Sequence, residues 1–216
     1  SGDSYIYLSD RFLYVEDNIN LEKNNNPETE ASIYLRKESQ LLQGEKSTNL
    51  NYGNGLLSVF QEGTSNAFDY NYWALPVKDN ISQNQFGAVI FQPKNKTNST
   101  PVHITGSLEG TSHPLRISRR WIYKYSGSEY NDWQHVGVNF DVAPGEGFTM
   151  KGVNGTDPRL VNGVENNPGN SQRYDFRGLP NDGEIKVSIN KDQAVLVGNP
   201  YPSALHLQSF LMENPA

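Results

Sequence analysis

The chain is built from apolar and aromatic runs of four to eight residues, most of them closed by Gly, Asn, Asp or Pro. Tyr5–Leu8 and Phe12–Val15 come first, followed by "SIYLRKESQLL", "GLLSVFQEG", "YNYWALPV" and "FGAVIFQP". Then come "RWIYKYSG", "QHVGVNFDV", "EIKVSIN" and "AVLVGNP". Runs of this length, bounded by turn residues, read as β-strands. Their period is mostly two: Val136, Val138 and Phe140 share one face, as do Ile185, Val187 and Ile189. No amphipathic helix of ordinary length precedes Ser203. The expected fold is therefore all-β: an antiparallel β-sandwich, jelly-roll-like, with one short C-terminal helix. The 216 residues suffice for a buried core and read as a single β-rich domain spanning 1–216. No repeat of fixed period is read from the sequence.

Charge and composition narrow the partners. The net charge is −6 and the pI near 5.2, with no basic stripe, so neither nucleic acid nor an anionic membrane is an expected partner. No apolar run is long enough to span a bilayer as a helix, and no membrane insertion is expected. Cysteine is absent, which excludes disulfides, thiolate metal sites and cysteine nucleophiles together.

Few motifs carry chemistry. His103, His113, His135 and His206 show no zinc-ligand spacing and are read as surface or hydrogen-bonded histidines. "APGEGFTMKG" (143–152) reads as a tight turn feeding a strand rather than a dinucleotide fingerprint, because Pro144 precedes the glycines and a strand follows them. Asp69, Asp132, Asp141, Glu146, Glu165, Asp175 and Asp182 are scattered near turns or aromatics, and no pair is marked out as catalytic. No cofactor is expected; calcium is the one ion whose oxygen chemistry the loop 155–170 could serve, without EF-hand spacing to support it. Four Asn-X-Ser/Thr triplets, at Asn80, Asn95, Asn98 and Asn154, are put down to the abundance of Asn.

The aromatics are the most suggestive feature. "FDYNYW" (68–73), "RRWIYKYSGSEYNDW" (119–133) and "QRYDFRG" (172–178) are dense in rings. Trp73 and Trp121 are expected to alternate into the core. Trp133, in the turn-like "SEYNDWQ", is the leading candidate for an exposed ring, and Trp133, Tyr130 and Tyr72 form the candidate ligand-binding set. Such rings join an apolar face to a polar handle, which suits a glycan or another surface protein. The competing class is a polysaccharide-acting hydrolase, which needs two carboxylates facing one another across a cleft.

"YLRKESQLLQG", "DYNYW" with "LPV", "GFTMKG", "RYDFRG" with "PNDG" and "VGNPYPSAL" carry a resemblance that runs from about Ser32 to Phe210. They resemble an uncharacterised region of large secreted proteins of Bacteroidota, flavobacteria above all, exported by the type IX secretion system. The resemblance implies an extracellular or outer cell-surface location and an adhesive or surface-structural role. It also implies that this chain is an excised part of a longer protein. It brings no catalytic residues.

The segment "LVGNPYPSALHLQSFL" (196–211) is read as a structural corner. Pro202 is placed near the first helical position. Ala204, Leu207, Phe210 and Leu211 are expected to dock as one stripe on the sheet, with Tyr201 filling the corner and His206 exposed.

Overall fold

The computed structural model describes residues 4–23, 31–45, 48–79, 86–137, 141–154, 160–161, 164–165 and 172–214. The calcium loop, the triplet at Asn80 and the positions of Val138 and Phe140 lie outside the described residues, apart from two two-residue strands, Leu160–Val161 and Val164–Glu165.

The fold is all-β. Its largest sheet has seven strands and runs Ile6–Ser9, Ile33–Arg36, Leu57–Glu62, Arg173–Pro180, Ile90–Pro93, Ser99–Pro101, with Val77–Lys78 on the far end of Arg173–Pro180. A second sheet of five strands runs Trp133–His135, Tyr123–Gly127, Gly147–Lys151, Tyr70–Ala74, with Ala194–Val195 beside Tyr123–Gly127. The two sheets meet face to face. The Trp73 ring lies 5.4 Å from that of Tyr174 and 5.8 Å from that of Phe176. Phe86 lies 5.1 Å from Phe148. Leu115, Ile117 and Val153, from a four-stranded sheet alongside, extend the same core.

Pairing is antiparallel through the five-stranded sheet and around Arg173–Pro180, as expected of a sandwich. The N-terminal part adds something the sequence did not announce. Ile6–Ser9, Ile33–Arg36 and Leu57–Glu62 pair in parallel. Phe12–Val15 pairs in parallel with Gln40–Gln43, and Asn20–Leu21 with Tyr52–Gly53. Three strands joined by two corners stack in register, parallel, on the next three, as two layers of a three-sided coil. A jelly roll pairs its strands antiparallel, so the coil is an addition to that plan. Leu8, Leu13, Val15 and Ile19 of the first turn pack against the main core, which includes Leu21, Ile33, Leu35 and Leu41. The repeat is visible in the sequence once the register is known: "IYLSD" and "IYLRK" are stacked, and Asp10 and Lys37 both adopt the left-handed conformation at the corner (φ 57° and 54°). The spacing changes from Ile6↔Ile33 to Ile33↔Leu57, which is why no fixed period stands out.

The largest sheet also buries charge. Asp175 and Arg177 are fully buried on its outer face, and Arg177 Nε donates to Asp175 Oδ2 at 2.7 Å. Ser58 and Ser99 each donate to the same carboxylate at 2.6 Å. Arg36 donates to Ser58 Oγ and to the Lys96 carbonyl, both at 2.8 Å, and Arg177 donates to the Thr97 carbonyl at 2.7 Å. Burial pulls Arg36 down to about 10, which leaves it charged at neutral pH. One carboxylate thus serves two guanidiniums, Arg177 directly and Arg36 through Ser58, and both strap the 94–98 loop over the sheet. Asn95 is held inside that loop, its side-chain oxygen accepting from the Thr97 and Asn98 amides.

"EIKVSIN" is not a strand. Residues 184–190 have no ladder partner among the described residues, and Ile189 is exposed. Ile185 and Val187 instead cover Gly145, whose φ of +88° closes the turn before Gly147–Lys151. That turn and its strand are as expected.

The C-terminal corner is partly as expected. Pro202 is buried, and Tyr201 donates its hydroxyl to the Gly183 carbonyl at 2.6 Å. The helix, however, starts only at Leu207 and runs to Glu213, so Pro202 is not its first residue. No helix residue is buried; Phe210, Leu207, Leu211 and Met212 are all exposed, so the apolar stripe does not dock. His206 is exposed, and it caps the helix: its Nδ1 accepts from the Ser209 amide at 3.2 Å. A helix leaves its first amides without intrahelical partners, and a side-chain acceptor at the cap satisfies one of them.

Candidate ligand-binding groove

Register decides which side chains of the five-stranded sheet face solvent. Phe148 and Met150 are buried in the core, so Thr149 and Lys151 point the other way. Tyr72 pairs with Thr149 and Tyr70 with Lys151, so both tyrosines share the outer face, while Trp73 pairs with Phe148 and turns inward. On the next strand Tyr123 pairs with Thr149 on one side and His135 on the other, and Tyr125 pairs with Trp133. The alternating pattern "YNYW" thus puts two tyrosines outward and a tryptophan in the core from one short strand.

The result is an open groove walled by rings. Tyr70, Tyr72, Trp121, Tyr123, Tyr130 and Trp133 line a volume of ≈ 530 Å³, with Asn131 and Thr149 between them.

The three residues singled out in the sequence, Trp133, Tyr130 and Tyr72, all stand in this one groove. Tyr130 is 87% exposed and Tyr72 68% exposed, whereas Trp133 is half-buried against Tyr125, ring to ring at 5.0 Å. Tyr130 rides on a short 3-10 turn, Tyr130–Asp132, which Asp132 fastens by accepting from the Glu129 and Ser128 amides, both at 2.8 Å. Those two backbone donors, Glu129 foremost, hold the Asp132 carboxyl below the usual range. Burial, then the neighbouring Tyr123 and Tyr130 phenols, push the Tyr70 phenol up.

Trp73 packs against the core as expected, and its Nε1 finds no hydrogen-bond partner among the described residues. Trp121 corrects the expectation. It is half-buried and lines the groove, its Nε1 donating to the Leu108 carbonyl at 2.6 Å, because the 3-10 turn Arg119–Trp121 carries it out of strand alternation. Lys151 Nζ stands 3.9 Å from the Trp121 ring centre and 5.6 Å from that of Tyr70, a cation near two rings. Residue spacing could have found Tyr70, two positions from Tyr72. Trp121 shares the run 119–133 with Tyr130 and Trp133, but the 3-10 turn is what aims it at the groove; Lys151 comes from another segment, and sheet register brings it in.

The remaining candidates go elsewhere. Asp175 belongs to the buried ion network, and Glu146 pairs with Lys124 and accepts from the Ala143 amide at 2.8 Å. His135 Nε2 lies 2.9 Å from the Arg119 carbonyl. A second cavity, ≈ 800 Å³, is lined by Glu45, Asp182, Glu184, Gln43, Asn181 and Tyr201 among others. Asp182 is buried there, and its Oδ2 has no partner among the described residues.

Fold and groove together define a class: an all-β domain in which a parallel coil runs into a sandwich with an aromatic outer face. The chain belongs to the family described as a domain of unknown function, DUF8693, which matches residues 6–216. No curated protein and no solved structure matches it.

Proposed function

We propose that this domain is a non-enzymatic extracellular or cell-surface module for adhesion or surface structure, binding glycans in the aromatic groove. One observation carries the reading: six rings from separate segments of the chain converge on a solvent-facing groove, with polar side chains between them. Sugar rings stack on such faces through their C–H surfaces while their hydroxyls exchange hydrogen bonds with groups such as Asn131 and the phenols. The resemblance to secreted Bacteroidota proteins supports the location. A glycan array tests the proposal: the domain binds at least one oligosaccharide class, and the Tyr72→Ala and Tyr130→Ala variants lose that signal. An array with no binding, or signals unchanged in both variants, contradicts it.

The acidic cavity favours a second reading, a polysaccharide hydrolase with Asp182 as one member of a carboxylate pair. Turnover of a polysaccharide that disappears in Asp182→Asn, with folding intact, would put this reading ahead.

A further inference from the structure

The wall of the aromatic groove holds no acid among the described residues. It consists of tyrosines, tryptophans, Asn131 and Thr149, in a chain whose net charge is −6. Asp132 follows Asn131, but its carboxylate is spent on its own turn, where it accepts from the Ser128 and Glu129 amides.

A cation stands at this wall instead. Lys151 shares the outer face of its strand with Thr149, and its ammonium lies 3.9 Å from the Trp121 ring centre and 5.6 Å from that of Tyr70. Both rings line the groove. Lys37, Lys124 and Lys186 each pair with a carboxylate. Lys151 is half-buried and has no oxygen partner among the described residues. An ammonium carries three N–H donors, and a ring face attracts the charge without supplying an acceptor lone pair. The phenols add to this. The hydroxyls of Tyr70, Tyr72, Tyr123 and Tyr130 have no hydrogen-bond partner among the described residues. A wall rich in free donors, one of them charged, and free of acids suits a ligand that brings anionic oxygens.

We propose that the groove takes acidic glycans, with Lys151 as the residue that meets the negative group of the sugar, a carboxylate or a sulfate. The inference rests on the glycan reading of the groove and adds to it the class of glycan. A sugar ring lies on the exposed tyrosines while its charged group reaches the ammonium beside Trp121 and Tyr70. Lysine presents a compact point charge rather than a planar fork, so it serves carboxylate and sulfate alike. A neutral sugar would engage the rings and leave the ammonium without a counter-charge. The negative net charge of the chain works against an anionic ligand, but at physiological salt charges more than about 8 Å away are largely screened, whereas a half-buried ammonium in direct contact is not.

The test is calorimetric titration of matched pairs: galacturonate and alginate oligosaccharides beside their carboxyl-reduced counterparts, and a carrageenan oligosaccharide beside its desulfated counterpart. At least one acidic member should bind at least about fivefold tighter than its neutral counterpart, slightly under the effect of a hydrogen bond to a fully buried charge because Lys151 is only half-buried. The pair that shows the preference tells carboxylate from sulfate. The preference should shrink to under about twofold in Lys151→Met, which keeps the apolar stem, and persist in Lys151→Arg. It should also weaken when salt is raised from about 0.05 to 0.5 M. Neutral and acidic members bound equally by the native domain, with binding still lost in Tyr72→Ala, would overturn this inference and leave the groove reading standing. An acidic preference unchanged in Lys151→Met would overturn it as well, since another cation would then read the charge. Binding of no glycan, neutral or acidic, would remove both. If Lys151→Met does not fold, the matched pairs on the native domain decide: a salt-sensitive acidic preference supports the inference, and its absence overturns it.

Discussion

At Asp175 one carboxylate neutralises two buried guanidiniums, Arg177 by direct contact and Arg36 through Ser58, with Ser99 completing its hydrogen bonds. Removing the charge leaves both cations without it. Asp175→Asn should therefore cost about 3–5 kcal/mol in urea unfolding, the range for breaking a buried pair. A loss below about 1 kcal/mol would mean that the carbonyls of Lys96 and Thr97 satisfy the guanidiniums unaided. The buried phenols set a second expectation. Burial raises Tyr174 and Tyr34 above their ordinary value, so the folded state favours the neutral phenol. Their contribution is fully present below about pH 10, the unfolded value, and is lost as the pH rises from there through the higher folded values. Stability should be flat in these groups from about pH 7 to 9 and fall above about pH 10, as read by urea midpoints across that range.

The C-terminal helix shows how an element can satisfy its sequence pattern without packing. Ala204, Leu207, Phe210 and Leu211 keep the spacing of a buried stripe, but no residue of the helix is buried. Phe210→Ala should accordingly change global stability by no more than about 0.5 kcal/mol, as exposed substitutions usually do. His206→Ala should fray the helix, speeding exchange at the Ser209 amide, without lowering the unfolding midpoint. Strand positions are legible in the sequence because a half-buried strand writes its burial at period two, as "YNYW" does; "GFTM" keeps the period in residue type although all four residues are buried. The coil is not legible, because parallel pairing joins residues far apart in the chain and the connecting loops differ in length. "EIKVSIN" has the right alternation, but nothing in its own residues says whether a partner strand lies alongside. In the groove, Tyr72, Tyr130 and Trp133 can be named from the local density of rings. Trp121 lies in the same dense run, but its outward place follows from the 3-10 turn Arg119–Trp121, and that of Lys151 from the pairing of Gly147–Lys151 with Tyr70–Ala74.

For the whole molecule, a sandwich of paired strands holds the rings in place before any ligand arrives. Tyr70, Tyr72 and Tyr123 stand on strands, and Tyr130 rides on a turn that Asp132 pins. A preformed groove loses little side-chain freedom on binding. Because Tyr72 and Tyr130 project furthest into solvent, replacing them should remove contact area while leaving the core intact.

The most direct measurement is calorimetric titration of an array-selected oligosaccharide into the native domain and into the Tyr72→Ala/Tyr130→Ala double variant. Binding to the native domain should be at least about tenfold tighter than to the variant, a difference of about 1.4 kcal/mol or more, with the unfolding midpoint unchanged. Equal affinity in the two proteins would contradict the groove as the binding site.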